Sequence, residues 1–200
     1  MPEQTQNLQP RPRSLRGTLT KITGVIIILL IAAGLIAQRM SDGPSAFIPG
    51  GPLRAGTLVT ESNINWLIEL GENPGSIELQ LMDPPTSRIT GVMLHKGQLY
   101  VPCDLGFMWR RFSGTQRWIP HGIWIFKTWH EDALLDGRVV MRIDGKRYER
   151  QAVRVTDPAL LARLRSQLEA MAVEYFGGPL PDVQTDPEDI WFFRLEPRVM

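Results

Sequence analysis

The run ITGVIIILLIAAGLIA, beginning at Ile22 and ending at Ala37, carries no charge, and it divides the chain before any other feature can act. A helix that is apolar all round has no side to turn toward water, so it needs a core or a bilayer around it. At ~1.5 Å per residue the run spans roughly 24 Å, and Gly17 to Thr20 with Gln38 extend it toward the ~30 Å of a hydrocarbon core. Arg11, Arg13, Arg16 and Lys21 precede it, opposed only by Glu3. A basic flank stays on the cytoplasmic side of a membrane. The expectation is therefore a polar cytoplasmic tail over residues 1–16 and an uncleaved signal anchor over residues 17–38. The anchor sits in the lipid bilayer of the inner (cytoplasmic) membrane as a single pass. The remainder lies outside the cytoplasm, which is the periplasm in a Gram-negative cell. A cleaved signal peptide needs a shorter apolar region and a small-x-small site. Pro44 and Ala46 make a poor one, and Leu35 spoils the one ending at Ala37.

Beyond the anchor there is enough chain for one domain with its own core. Lys and Arg total 22 against 21 Asp and Glu, so no global field draws the protein to nucleic acid. Cys103 is the one cysteine, which excludes an internal disulfide. Between Pro102 and Asp104 it reads as a buried, inert thiol. His95, His121 and His130 show no metal-ligand spacing, so no metal site is expected. No G-x-S-x-G, P-loop or dinucleotide glycine motif is present, and hydrolase and nucleotide-binding classes have no support.

Residues 39–57 hold Pro44, Pro49 and Pro52 among Gly43, Gly50, Gly51 and Gly56, which predicts a linker lifting the domain off the membrane. Residues 58–200 form the domain. Thr60 or Ser62 caps a short helix through Ile64, Leu67, Ile68 and Leu70, closed by Gly71, with a strand as the competing assignment. Ile77, Leu79 and Leu81 alternate with Glu78, Gln80 and Met82, a strand with one wet face that Pro84-Pro85 ends. Residues 88–94 and 98–102 form a hairpin around His95-Lys96-Gly97. Residues 138–143 and 147–155 form a second hairpin across Asp144-Gly145, the strongest turn signal in the chain. Asp157 caps a helix with Pro158 at its first position and an apolar stripe from Leu160 to Tyr175. Ile190 to Leu195 reads as the last strand. The fold class is α+β: a single N-terminal transmembrane helix, then an antiparallel barrel with one long helix.

The stretch DGRVVMRIDGKRYERQAVRVTDP (residues 136–158), with Trp129, Leu134 and Leu135 ahead of it, resembles the split-barrel superfamily. That superfamily includes FMN-binding pyridoxamine-phosphate-oxidase-like proteins and deazaflavin-dependent nitroreductases. Thr86-Ser87-Arg88 through Tyr100-Val101 is similar to its first hairpin, and Phe193 to Pro197 to its closing strand. The resemblance covers roughly residues 76–198. It implies a split β-barrel and a flavin- or deazaflavin-binding oxidoreductase. Two departures stand out: Pro84 and Pro85 replace a glycine-rich phosphate segment, and proline has no N–H to donate. The stretch 106–132 is also longer and more aromatic.

Arg88, with Ser87 and Thr86, has the chemistry to hold a phosphate. Trp109 to Phe112, Arg117-Trp118 and Trp124 to Trp129 interleave rings with cations, suited to a ring system with an anionic tail. The expected cofactor contacts are Ser87, Arg88, Lys127 and Trp129, to FMN or deazaflavin, with no cofactor at all equally compatible. No catalytic residue is singled out. The alternative is a non-catalytic extracytoplasmic binding or assembly module. It uses the aromatic and basic stretch to contact lipid, a small ligand, a protein partner or a second copy of the chain.

Overall fold

Hairpin chemistry sets the architecture of this chain. The computed structural model describes residues 15–45, 48–72, 74–104, 129–176 and 190–198, and the chain divides into two units, Met1–Ala37 and Gln38–Met200. Helix α1 (Leu15–Met40) contains the apolar run. Its stretch Lys21–Met40 has a mean hydropathy of 2.2 and is long and apolar enough, by length and composition, to cross a bilayer. A signal sequence meets the same test.

In the second unit come β1 (Thr57–Val59), α2 (Trp66–Leu70), β2 (Ser76–Met82), β3 (Pro85–Gly91), β4 (Met93–His95) and β5 (Gln98–Asp104). The chain continues through α3 (Trp129–Leu135), β6 (Arg138–Ile143), β7 (Lys146–Arg154), α4 (Pro158–Phe176) and β8 (Ile190–Pro197). The strands form one sheet in the order β3-β2-β6-β7-β8-β5-β4, every neighbouring pair antiparallel, with β1 added parallel to β7. β3 also approaches β5, so the sheet curls into a half-barrel. Both predicted tight turns are present. Lys96 and Gly97 have φ of 49° and 76°, and Asp144 and Gly145 of 47° and 71°. Paired positive φ values are what a two-residue turn needs to match the strand twist.

The inner face carries Leu79, Leu99, Val101, Val139, Met141, Tyr148, Phe193 and Leu195 and is plugged by Trp66 of α2 and by Trp129 and Ala133 of α3. On the outer face α4 buries Leu164 against Met93, Tyr100, Ile190 and Phe192. Asp157 caps α4 as expected, its Oδ1 accepting from the Ala159 N–H at 2.9 Å.

Several boundaries differ from the sequence expectation. Helix α2 is capped by Asn65, not by Thr60 or Ser62, its Oδ1 accepting from the Ile68 N–H at 3.3 Å. β3 already starts at Pro85, because the turn is Asp83-Pro84, whose peptide bond is cis. Its expected continuation to Leu94 is interrupted at Val92, whose N–H bonds the Gly75 carbonyl at 3.0 Å at the end of the β2–β3 ladder, and β4 begins at Met93. The stretch read as a free linker is instead built into the domain. The Leu53 N–H donates to Gln80 Oε1 at 2.7 Å, and Leu53 itself is 3% exposed. Asp42 pairs with Arg142 at 2.9 Å. A Cβ on Gly50 would sit 1.8 Å from the Gly43 carbonyl oxygen, so only glycine allows the chain to double back there. The aromatic and basic stretch from Trp109 to Lys127 lies outside the described residues.

Candidate functional site

Strand periodicity decides which of the predicted residues meet. Successive side chains point to opposite faces, so Ser87 and Arg88 cannot serve one ligand on one face. Ser87 is fully buried on the outer face, where its hydroxyl donates to the Gly51 carbonyl at 2.5 Å. Its backbone exchanges hydrogen bonds with Gly50, at 3.1 and 2.9 Å. Thr86 Oγ1 donates to the Pro84 carbonyl at 3.4 Å. These hydroxyls hold the 41–56 stretch and the β2–β3 turn rather than a phosphate.

Arg88 is opposite Leu79 on the inner face and lies 5.6 Å from the centroid of the Trp129 ring. Trp129 is 3% exposed and also packs against Phe193, with centroids 5.3 Å apart. The ring is therefore enclosed by protein. Burial pulls the Arg88 guanidinium down to about 10, with Cys103 and Asp132 opposing the shift and Arg39 adding to it. Its Nε is buried without a hydrogen bond, and among the described residues the guanidinium forms no ion pair. Lys127 lies outside the described residues, so Arg88 and Trp129 are the pair that the fold brings together. Of the three described candidates, Arg88 alone is charged, partly exposed and uncommitted to another polar group. It fits the phosphate of a flavin or deazaflavin, whereas Ser87 and the Trp129 ring do not.

The motif of an arginine against a ring recurs along the inner face. Arg150 lies 5.1 Å from the Trp66 centroid and 5.9 Å from that of Tyr148, and Arg154 lies 3.6 Å from that of Trp191. Arg150 and Arg154 carry no role in the sequence expectation, although period-two alternation puts both on the Tyr148 face. The signal was their two-residue spacing from apolar inner-face positions. His130 is 5% exposed and stands edge-on to Trp191 at 5.0 Å. No group of three metal-ligating side chains occurs among the described residues. Cys103 is 0% exposed and faces the core opposite Trp191.

Outside the barrel, a cavity of about 500 Å³ is bounded by Asp42, Glu78, Ile89 and Arg142. Arg142 is committed within it, bonding both Glu78 and Asp42. The hydrogen bond to Glu78 is the main reason the Arg142 pKa is raised. What the site offers is fixed positive charge beside rings, which captures and orients anions.

No family model and no curated protein matches the chain. Among solved structures it is similar to a putative pyridoxamine 5'-phosphate oxidase from Listeria innocua, with 17% identity and a TM-score of 0.40. That similarity covers 66% of this chain and 90% of the other. It is also similar to an F420 reductase, with 15% identity and a TM-score of 0.37, covering 66% and 92% of the two chains. At these values neither likeness fixes an activity or a ligand for this chain.

Proposed function

We propose that this chain is a membrane-tethered binding module whose half-barrel domain holds an anionic ligand at Arg88. In this reading α1 is a signal anchor in the inner membrane, with the N-terminus in the cytoplasm and the domain on the periplasmic side. The basic residues ahead of the apolar run support that orientation. The observation that carries the ligand reading is Arg88 itself, a largely buried guanidinium set on Trp129 that forms no ion pair among the described residues. A desolvated charge is costly until an opposite charge meets it, and an oxyanion provides one.

A second reading is favoured by the half-barrel together with the same arginine: a flavin- or deazaflavin-binding oxidoreductase with its cofactor phosphate on Arg88. Such a cofactor would supply hydride transfer when bound. Against it stand Ser87, already bonded to Gly51, and the enclosed ring of Trp129. An outward-facing domain would also be separated from the cytoplasmic pools of reduced nicotinamide and deazaflavin.

The visible absorption spectrum of detergent-purified full-length protein separates the two. The binding module is expected to be colourless and to retain no added FMN through gel filtration. A flavin or deazaflavin band that survives gel filtration and disappears in Arg88→Met would establish the redox reading instead. Native mass spectrometry tests the ligand itself. A co-purifying anionic species should be lost in Arg88→Met, and its undiminished retention would remove Arg88 from the site.

A further inference from the structure

Along one edge of β7, β1 pairs with Lys146, Arg147 and Tyr148, while β8 pairs from Arg150 onward. Between them Glu149 faces no strand on that edge, and the gap opens into a cavity of about 390 Å³. Thr60, Ser62, Glu149, Arg150 and Arg198 contribute to its lining. A gap at a sheet edge is open to both faces, which explains why consecutive residues of β7 reach it.

Its charges do not balance. Arg150 is 3% exposed, and only its Nη1 has a hydrogen bond, donated to the Glu149 carbonyl at 3.0 Å. Nε and Nη2 are buried with no partner, and no carboxylate pairs with Arg150 among the described residues. The rings of Trp66 and Tyr148 stack on the guanidinium without neutralising it. Arg198 donates to the Val139 carbonyl at 3.3 Å and pairs with Glu149 at 3.3 Å, and its Nε too is buried without a partner. Two guanidinium groups therefore stand against one carboxylate. Buried charge is tolerated when it is paired, and an unpaired guanidinium at a cavity wall selects an oxyanion.

We propose that this cavity is a second binding site, for the carboxylate or phosphate group of a small molecule. Arg150 and Arg198 supply the positive charge, and the hydroxyls of Thr60 and Ser62 are the added donors. The site is separate from Arg88 and does not depend on the reading of that residue or of the anchor.

Thermal unfolding of the full-length chain in detergent tests it, with inorganic phosphate or acetate as probe and sodium chloride at matched ionic strength as control. Binding to the folded state alone raises the midpoint in a saturable way. Phosphate or acetate is expected to do so beyond chloride, and Arg198→Gln should weaken the apparent affinity about tenfold or more. Arg150→Met should abolish the response while leaving the ligand-free midpoint at or above that of the natural chain, because it removes an uncompensated charge. Arg88 is itself read as an anion site, so these variants are compared in an Arg88→Met background, in which the response at this cavity should persist. The proposal fails if neither anion exceeds chloride, if Arg198→Gln keeps the full response, or if Arg88→Met alone removes it. Should Arg150→Met not fold, Arg198→Gln and a Thr60→Ala/Ser62→Ala double variant decide the matter.

Discussion

The Tyr148 hydroxyl donates to Glu69 Oε1 at 2.6 Å, and the same oxygen accepts from Lys146 Nζ at 2.5 Å. This triad fastens α2, and with it Trp66, over the inner face of the sheet, where Trp66 meets the Tyr148 ring edge-on at 5.2 Å. The Lys146 hydrogen bond, followed by that of Tyr148, holds the Glu69 carboxyl below its usual value of 4.5. Burial, followed by the Glu69 contact, pushes the Tyr148 phenol above its usual 10.0. The two shifts act at opposite ends of the pH scale. A depressed carboxylate stabilises the fold above its unfolded value and loses that contribution as pH falls through the folded one. A raised phenol stabilises below its unfolded value, and that contribution declines as pH climbs past it toward the folded one. Urea unfolding should therefore show greatest stability between about pH 5 and pH 10, with a fall on each side. Tyr148→Phe should cost about 1 kcal/mol at neutral pH and flatten the alkaline fall relative to the natural chain. An unchanged alkaline slope in Tyr148→Phe would show that the phenol is not the titrating group.

At the scale of elements, the 41–56 stretch has the largest consequence. It covers the outer face of β2, β3 and β6 through Leu53 on Gln80, Gly51 on Ser87 and Asp42 on Arg142. A variant starting at Gln38 should keep the stability of the second unit, and one starting at Thr57 should lose several kcal/mol or fail to fold. The second variant strips partners from the buried Gln80 and Ser87 and exposes an apolar strip. Leu53→Ala alone should cost about 2–3 kcal/mol in chemical denaturation. Equal stability of the two truncations would return the stretch to the status of a spacer. The sequence could not show this attachment. Proline and glycine announce irregular backbone, but the bonds that tie it down join Leu53 to Gln80 and Asp42 to Arg142, far apart in the chain. What was legible was local: Asp144-Gly145, Lys96-Gly97, the Asp157 cap and the alternation of β2. The candidate site was half legible for the same reason. Period-two alternation already separates Ser87 from Arg88, whereas the contact of Arg88 with Trp129 spans β3 and α3 and leaves no local trace.

For the whole molecule, the question is whether α1 stays attached. If it is an anchor, the purified chain keeps its full mass of 22.6 kDa, whereas processing as a signal sequence removes it. The poor cleavage pair Pro44 and Ala46 has a structural counterpart. A cut after Ala46 would take away Asp42, which bonds Arg142 and accepts from the Arg54 N–H at 2.5 Å. It would also remove Gly43, whose carbonyl oxygen accepts from the Ser41 hydroxyl at 2.9 Å in the turn that leaves the helix. Cleavage would thus release a domain lacking part of its own outer cover, and retention of α1 keeps that cover whole. The expected outcome is an intact mass, a chain that stays with membranes after alkaline carbonate extraction, and a soluble protein when residues 1–37 are deleted. On the proposed topology, a reporter active only outside the cytoplasm should be active when fused after Met200, because a basic flank favours the cytoplasmic side. A mature protein beginning near residue 47, or a carbonate-soluble full chain, would refute the anchor while leaving the anion sites of the half-barrel to be tested on the released domain.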